Sequence, residues 1–251
     1  METMLYSGER IDEVNDKLRL IQNGSGLTFG TDALLLAGYI RGGYKNGLEL
    51  GGGSGIISML LLTREKVNKI DCAEIQESYA TLIGRNAELN GLTDRLAPIL
   101  ADIRELKKNE EYDIVFTNPP YMTSEGGKRN LTDEKNIARH EENGNIYDFL
   151  NVAARCLRYG SSFYAVYRPD RTADLFSAMR EAKIEPKRMT LVYANTKTEP
   201  SMLLIEGKKG GKPGMKMTAP LIIYTDENNR QYGPEMDYIM ENGAFPPKFL
   251  P

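Results

Sequence analysis

Residues Asp113–Asn130 read DIVFTNPPYMTSEGGKRN. Asp113–Thr117 has the apolar, β-branched character of a buried strand, and an asparagine, two prolines and a tyrosine follow it directly. Proline has no N–H to give to a ladder and holds its φ fixed, so Pro119 and Pro120 form a stiff, extended exit. That exit immobilises Asn118 and leaves the Pro119 carbonyl free to accept. Two oxygens so placed can grip both hydrogens of an exocyclic –NH2 group, while the ring of Tyr121 offers a stacking face. A conjugated amine is a poor nucleophile because its lone pair is delocalised. Hydrogen bonds from both of its N–H groups favour pyramidalisation and free that pair, so a strong electrophile can be attacked without a side-chain base. The competing reading is a proline turn over a buried tyrosine.

Three more strand ends carry polar or glycine residues. In LELGGGSG, Gly51, Gly53 and Gly55 lie between a strand and a helix, where backbone can approach a ligand at a positive helix N-terminus. A dinucleotide fingerprint aligned on Gly53 and Gly55 would need a third glycine where Ser58 stands. The loop alone therefore reads equally as a tight turn. Glu74 ends the next strand, and a carboxylate there can accept from ribose hydroxyls; otherwise it is a solvated strand-end glutamate. Asp102 ends the third strand, where it can accept from an adenine amino group or act as an N-cap. Three such residues at consecutive strand ends would share one crevice.

The elements that must position them are legible in the pattern. GLEL, KIDCAEI, LAPILADI, DIVFTN and SSFYAVYR read as strands. Helices are expected over IISMLLLTR, QESYATLIGRNAELNG, Ile146–Arg158 and about Thr172–Ala182. RMTLVYAN and PSMLLIEGK alternate as an antiparallel pair, closing the sheet with one antiparallel strand. Strands alternating with helices imply βαβ units and a parallel sheet with its site beyond the strands' carboxyl ends. Ahead of this lies a hairpin around Val14–Ile21 and a helix over ALLLAGYI, N-capped by Thr31 or Asp32. Tyr159, Tyr164, Tyr167 and Tyr193 fall in or near strands and read as core packing.

The chain has 251 residues, 41% hydrophobic and 27% charged, enough for one large α/β domain. No apolar run reaches the ~18 residues of a membrane span, and the mixed, acidic start argues against a secretory leader. Two distant cysteines and one histidine, His140, argue against structural zinc and a disulfide framework and suit a reducing cytosol. His140 reads as a loop or capping residue, since the chemistry above needs no base. A net charge of −3 counts mildly against a broad nucleic-acid grip and leaves room for local clusters, each of which reads otherwise as a solvated loop: Lys128–Arg129, Lys187–Arg188 and the run at 207–216.

ELGGGSG, AEI, ADI and NPPY resemble the motifs of class I S-adenosylmethionine-dependent methyltransferases that act on planar amines. The resemblance implies an α/β, Rossmann-like, seven-stranded, mostly parallel sheet with S-adenosylmethionine over the glycine loop. Glu49 and the Gly51–Gly55 backbone would meet its methionine portion, Glu74 its ribose and Asp102 its adenine, with Phe29 closing over it; Thr31–Asp32 read equally as closing over it and as capping the helix. Asn118, Pro119 and Tyr121 would hold the target amine. QNGSGLTFGTDALLLAGYI, GGKRN…ARHE and the tail from Lys212 further resemble the bacterial tRNA1(Val) adenine-37 N6-methyltransferases. That implies a cytoplasmic enzyme whose partner is a tRNA anticodon stem-loop, with Lys128, Arg129 and Arg139 on its phosphates and no metal. It divides the chain into an extension at 1–46, a core at 47–208 and a second extension at 209–251. Glutamine methylation of a protein such as a release factor, or a non-catalytic cofactor-binding subunit, are the alternatives.

Overall fold

Strand and helix alternate from Tyr44 onward, as the hydrophobic pattern requires. A computed structural model describes residues 5–23, 30–119 and 145–250. Phe29, Tyr121, Lys128, Arg129, Arg139 and His140 lie outside those residues. Strands β1 (Glu9–Asn15) and β2 (Leu18–Asn23) form the expected hairpin, and helix α1 (Thr31–Tyr39) follows. Then come β3 (Tyr44–Leu50), α2 (Ile56–Thr63), β4 (Val67–Glu74), α3 (Glu77–Leu89) and β5 (Leu96–Leu100). A 3-10 turn at Ile103–Glu105 leads to β6 (Tyr112–Thr117). The second half holds α4 (Ile146–Cys156), β7 (Leu157–Tyr167), α5 (Thr172–Glu181), β8 (Ile184–Tyr193) and β9 (Pro200–Lys209). The two-residue strands β10 (Lys216–Met217) and β11 (Leu221–Ile222) precede α6 (Pro234–Asn242).

The sheet runs β5–β4–β3–β6–β7–β9–β8, and β10 and β11 both pair with β8. Among the described strands of this sheet only β9 runs against its neighbours. The expectation of seven strands is met by β3–β9, but among the described residues the sheet has nine. The two additions cover the outer edge of β8, whose unpaired backbone groups would otherwise invite another chain. Strands of two residues are too short to carry any periodicity, so the sequence pattern could not announce them.

One apolar cluster joins one face of the sheet to β2, α1, α2, α3 and α6; a second joins the other face to α4 and α5. Tyr164 is buried as expected, whereas Tyr159 is 77% exposed and its hydroxyl donates to the Gly210 carbonyl. Gly160, with φ +78, turns the chain beside it and leaves its ring outside the core. Helix α1 is capped by Gly30 rather than by Thr31 or Asp32, and no side chain caps it. Asp32 is occupied elsewhere, as shown below.

Candidate active site

The order of the sheet reverses between β3 and β6: from β3 the chain builds outward through β4 and β5, and from β6 it builds the opposite way. In such sheets the crevice for ligands opens beyond the strand ends at that switch point. Both expected centres of chemistry lie there, the glycine loop after β3 and Asn118 after β6. Thr117 Oγ1 donates to Leu50 O at 2.7 Å, tying the two exits together.

The loop is shaped by backbone that only glycine adopts freely. Gly51, Gly53 and Gly55 have φ of +74°, +53° and +79°, and Gly55 caps α2 in the left-handed conformation. Gly51 and Gly52 N–H donate to Ala73 O at 2.9 and 3.1 Å, holding the loop against β4. Gly52 is a residue the spacing argument passed over: a Cβ there would collide with Cys72 Sγ. The unbroken GGG was the available signal.

Glu74 is 5% exposed. Its Oε2 accepts from Gly53 N–H at 2.9 Å and its Oε1 from Gln76 N–H at 2.9 Å, so one carboxylate braces the loop and the start of α3. Ile75 beside it and Leu100, in register with Glu74 on β5, are 40% and 54% exposed. Exposed apolar side chains next to a braced carboxylate suit a flat heterocycle bearing a polyol. Asp102 N-caps the 3-10 turn, accepting from Arg104 N–H at 2.9 Å, and its carboxylate also pairs with the Arg104 guanidinium. That pairing holds the Asp102 carboxyl below its usual range.

Glu49 lies deeper, 1% exposed. Its Oε2 takes the Ser58 hydroxyl, the Ser58 N–H at 3.2 Å and the Cys72 thiol at 3.4 Å. Ser58, where a dinucleotide fingerprint would have glycine, thus anchors the first turn of α2 to β3. Burial pushes the Glu49 carboxyl up to about 7 against the lowering effect of these bonds, and the adjoining Cys72 thiol is raised by burial as well.

At the end of β6, Asn118 is half-buried and Pro119 buried. Asn118 Nδ2 donates to Asp32 Oδ2 at 2.7 Å across 86 positions of sequence. Its Oδ1 is buried and has no hydrogen-bond partner among the described residues. A buried acceptor left unpaired is costly, so Asn118 Oδ1 is an atom of this strand end that still calls for a donor. The sequence leaves Asp32 between capping α1 and closing over the cofactor; its contact with Asn118 is a third arrangement that neither reading holds.

Among the described residues, no group of three or more His, Cys, Asp and Glu stands ready to hold a metal. Nor is any helix there long and apolar enough to cross a membrane.

A parallel sheet in this order, closed by one antiparallel strand and loaded at the switch point, defines the class I methyltransferase fold. The chain matches the methyltransferase small domain family over residues 25–181 and belongs to it. Its likeness to solved structures supports the fold. A predicted O-methyltransferase of Agrobacterium tumefaciens superposes with a TM-score of 0.69 at 21% identity, covering 86% of this chain and 98% of that one. Methanocaldococcus jannaschii TYW2 in complex with AdoMet gives 0.56 at 14% identity, covering 82% and 88%. Among curated relatives, the tRNA1(Val) (adenine(37)-N6)-methyltransferase of Dyadobacter fermentans is 28% identical over 49% of this chain, and the chain spans 50% of that relative's length. The protein of the same name from Porphyromonas gingivalis is 26% identical over 82% of this chain and 81% of its own.

Proposed function

We propose that the protein transfers a methyl group from S-adenosylmethionine to the exocyclic N6 amine of an adenosine in the anticodon-loop region of a tRNA. The observation that carries this reading is the open, buried Oδ1 of Asn118 at the switch point, beside the glycine loop. Names of the curated relatives supply the substrate class.

S-adenosylmethionine supplies an electrophilic methyl group, and its net positive charge suits a crevice edged by Glu74 and Asp102. Glu74 and the exposed faces of Ile75 and Leu100 receive its nucleoside. The Gly51–Gly55 backbone receives its amino-acid end, with Glu49 beneath it acting through Ser58 at the first turn of α2, and with Phe29 closing over it. Asn118 Oδ1 and the Pro119 carbonyl accept from the two amine hydrogens, localising the nitrogen lone pair. No side-chain base is needed before attack: the N–CH3 bond forms as the S–CH3 bond breaks, S-adenosylhomocysteine leaves, and the proton, acidic only once the nitrogen carries the methyl group, passes to solvent water. The target base leaves its stack at a cost of a few kcal/mol, least from a single-stranded loop. Tyr121 stacks on it, and Lys128, Arg129 and Arg139 meet phosphates, so binding weakens with salt in proportion to a few contacts.

The test is transfer of labelled methyl from S-adenosylmethionine to total bacterial tRNA, with nucleoside analysis. Labelled N6-methyladenosine is the expected product. Label in a release-factor protein and none in RNA would overturn the substrate and keep the chemistry.

A further inference from the structure

We propose that Asp32 is a positioning residue for methyl transfer: its carboxylate turns the Asn118 amide so that oxygen, not nitrogen, faces the substrate amine. The inference rests on the reading of Asn118 as the amine's acceptor.

An asparagine amide has nearly the same shape at both ends, but one end accepts and the other donates. Only the accepting end can hold an –NH2 hydrogen, so an amide free to flip presents the wrong group part of the time. A carboxylate accepts and cannot donate. With Asp32 Oδ2 at 2.7 Å from Asn118 Nδ2, the amide is fixed with Oδ1 toward the buried, unpartnered side. The same bond draws electron density along the amide toward Oδ1, which strengthens it as an acceptor.

The surroundings of Asp32 serve that contact. Gly30 occupies the N-cap of α1, where Ser, Thr, Asp or Asn would normally bond the first turn. A Cβ at Gly30 would land on Asp32 Oδ1. The helix thus forgoes a side-chain cap at the position whose emptiness gives the carboxylate its room. Asp32 is the second residue of α1, where the positive helix end favours an anion. The far end of α1 is pinned by the Lys66 ammonium, which donates to Ala37 O, Gly38 O and Ile40 O at 2.7, 3.0 and 2.6 Å. A rigid helix therefore presents an acceptor to a catalytic amide on a strand end, the arrangement a precise site requires.

Asp32 could instead serve only α1, as an acidic first-turn residue, and the variants separate these roles. The full chain and its Asp32→Ala, Asp32→Asn and Gly30→Ala variants would be compared for kcat and KM on total tRNA, S-adenosylmethionine affinity and Tm. Asp32→Ala should lower kcat by about 100-fold, the scale of losing one oriented group, with KM and cofactor affinity within about threefold. Asp32→Asn should recover part of that loss, because its own oxygen can still accept from Asn118. Gly30→Ala, which alters neither functional group, should lower kcat in the same direction by displacing the carboxylate. If Asp32→Ala fails to fold, the pair Asp32→Asn and Gly30→Ala still carries the test through kcat at unchanged Tm. A lowered Tm with wild-type kcat in all variants that fold would reduce Asp32 to a helix residue and overturn the inference. Should the wild type methylate a protein glutamine instead of tRNA, the substrate reading fails. The same kcat comparison on that amide then decides Asp32 by itself.

Discussion

Glu49 and Glu74 are carboxylates on neighbouring strands with different tasks. Glu74 receives two backbone N–H groups at the mouth of the crevice, while Glu49 is sealed beneath Ser58 and Cys72. Burial raises the Glu49 carboxyl from 4.5 to about 7. The folded protein therefore holds a proton there that the unfolded chain has released above pH 4.5. Its contribution to stability is fully present below 4.5 and is lost as pH rises through about 7. Glu49→Gln should flatten a loss of about 3 kcal/mol, at ~1.4 kcal/mol per pH unit, between denaturant unfolding curves taken at pH 5 and pH 8. An unchanged slope would show that Glu49 ionises freely in the fold. Asn118→Ala removes the acceptor without touching the loop, so it should cut kcat by about 100-fold or more. Calorimetry should find S-adenosylmethionine affinity nearly intact. The site residues named from sequence are those whose meaning is local: a proline-locked asparagine, and glycines or an acid at a strand end. The parts played by Asp32 and Gly52 were hidden because each is explained by a partner far along the chain, Asn118 for one and Cys72 for the other.

Between elements, Asn86 of α3 is the main junction. Fully buried, it accepts from Ile21 N–H at 2.7 Å and donates to Ile21 O at 3.3 Å and Ser54 O at 3.1 Å. One side chain thereby joins the N-terminal hairpin, α3 and the glycine loop. Asn86→Leu leaves these backbone groups unpaired in the interior. It should lower unfolding free energy by about 3 kcal/mol or more, since three groups are left open and each costs about 1–3. Cofactor affinity should fall with it, because Ser54 loses its tether. Loss of stability with unaltered affinity would mean that the loop holds its shape without the hairpin. The main strands and helices from Tyr44 to Lys209 were readable because their apolar period is long and repeated. The cap of α1 was misread because Thr-Asp at a helix start is also a capping signal, and nothing local shows that Asp32 turns away to Asn118.

Across the whole molecule, the C-terminal segment supports the helix that carries Asp32. Phe245 packs edge-on against Tyr39 of α1 at 5.2 Å and against Phe249 at 5.3 Å. Arg188 of β8, fully buried, binds Glu206, Tyr39 O and Phe249 O at 2.9, 2.8 and 3.2 Å and lies 3.7 Å from the centre of the Tyr39 ring. Its charge is met by Glu206, which Arg41 also engages. A chain ending at residue 233 would lose Met236, Ile239, Phe245 and Phe249, all at most 4% exposed. Burial of such side chains is worth about 1.5–3 kcal/mol each, so the loss is about 6–12 kcal/mol. That equals the whole stability of an ordinary domain, about 5–15 kcal/mol. Arg188 would also lose the Phe249 carbonyl. The truncated chain should therefore fail to unfold cooperatively in calorimetry and should be recovered as aggregate. A soluble, cooperatively folding truncation with wild-type cofactor affinity would instead make this segment an appendage to the core. If it also kept wild-type kcat, α1 would hold Asp32 against Asn118 without support from behind.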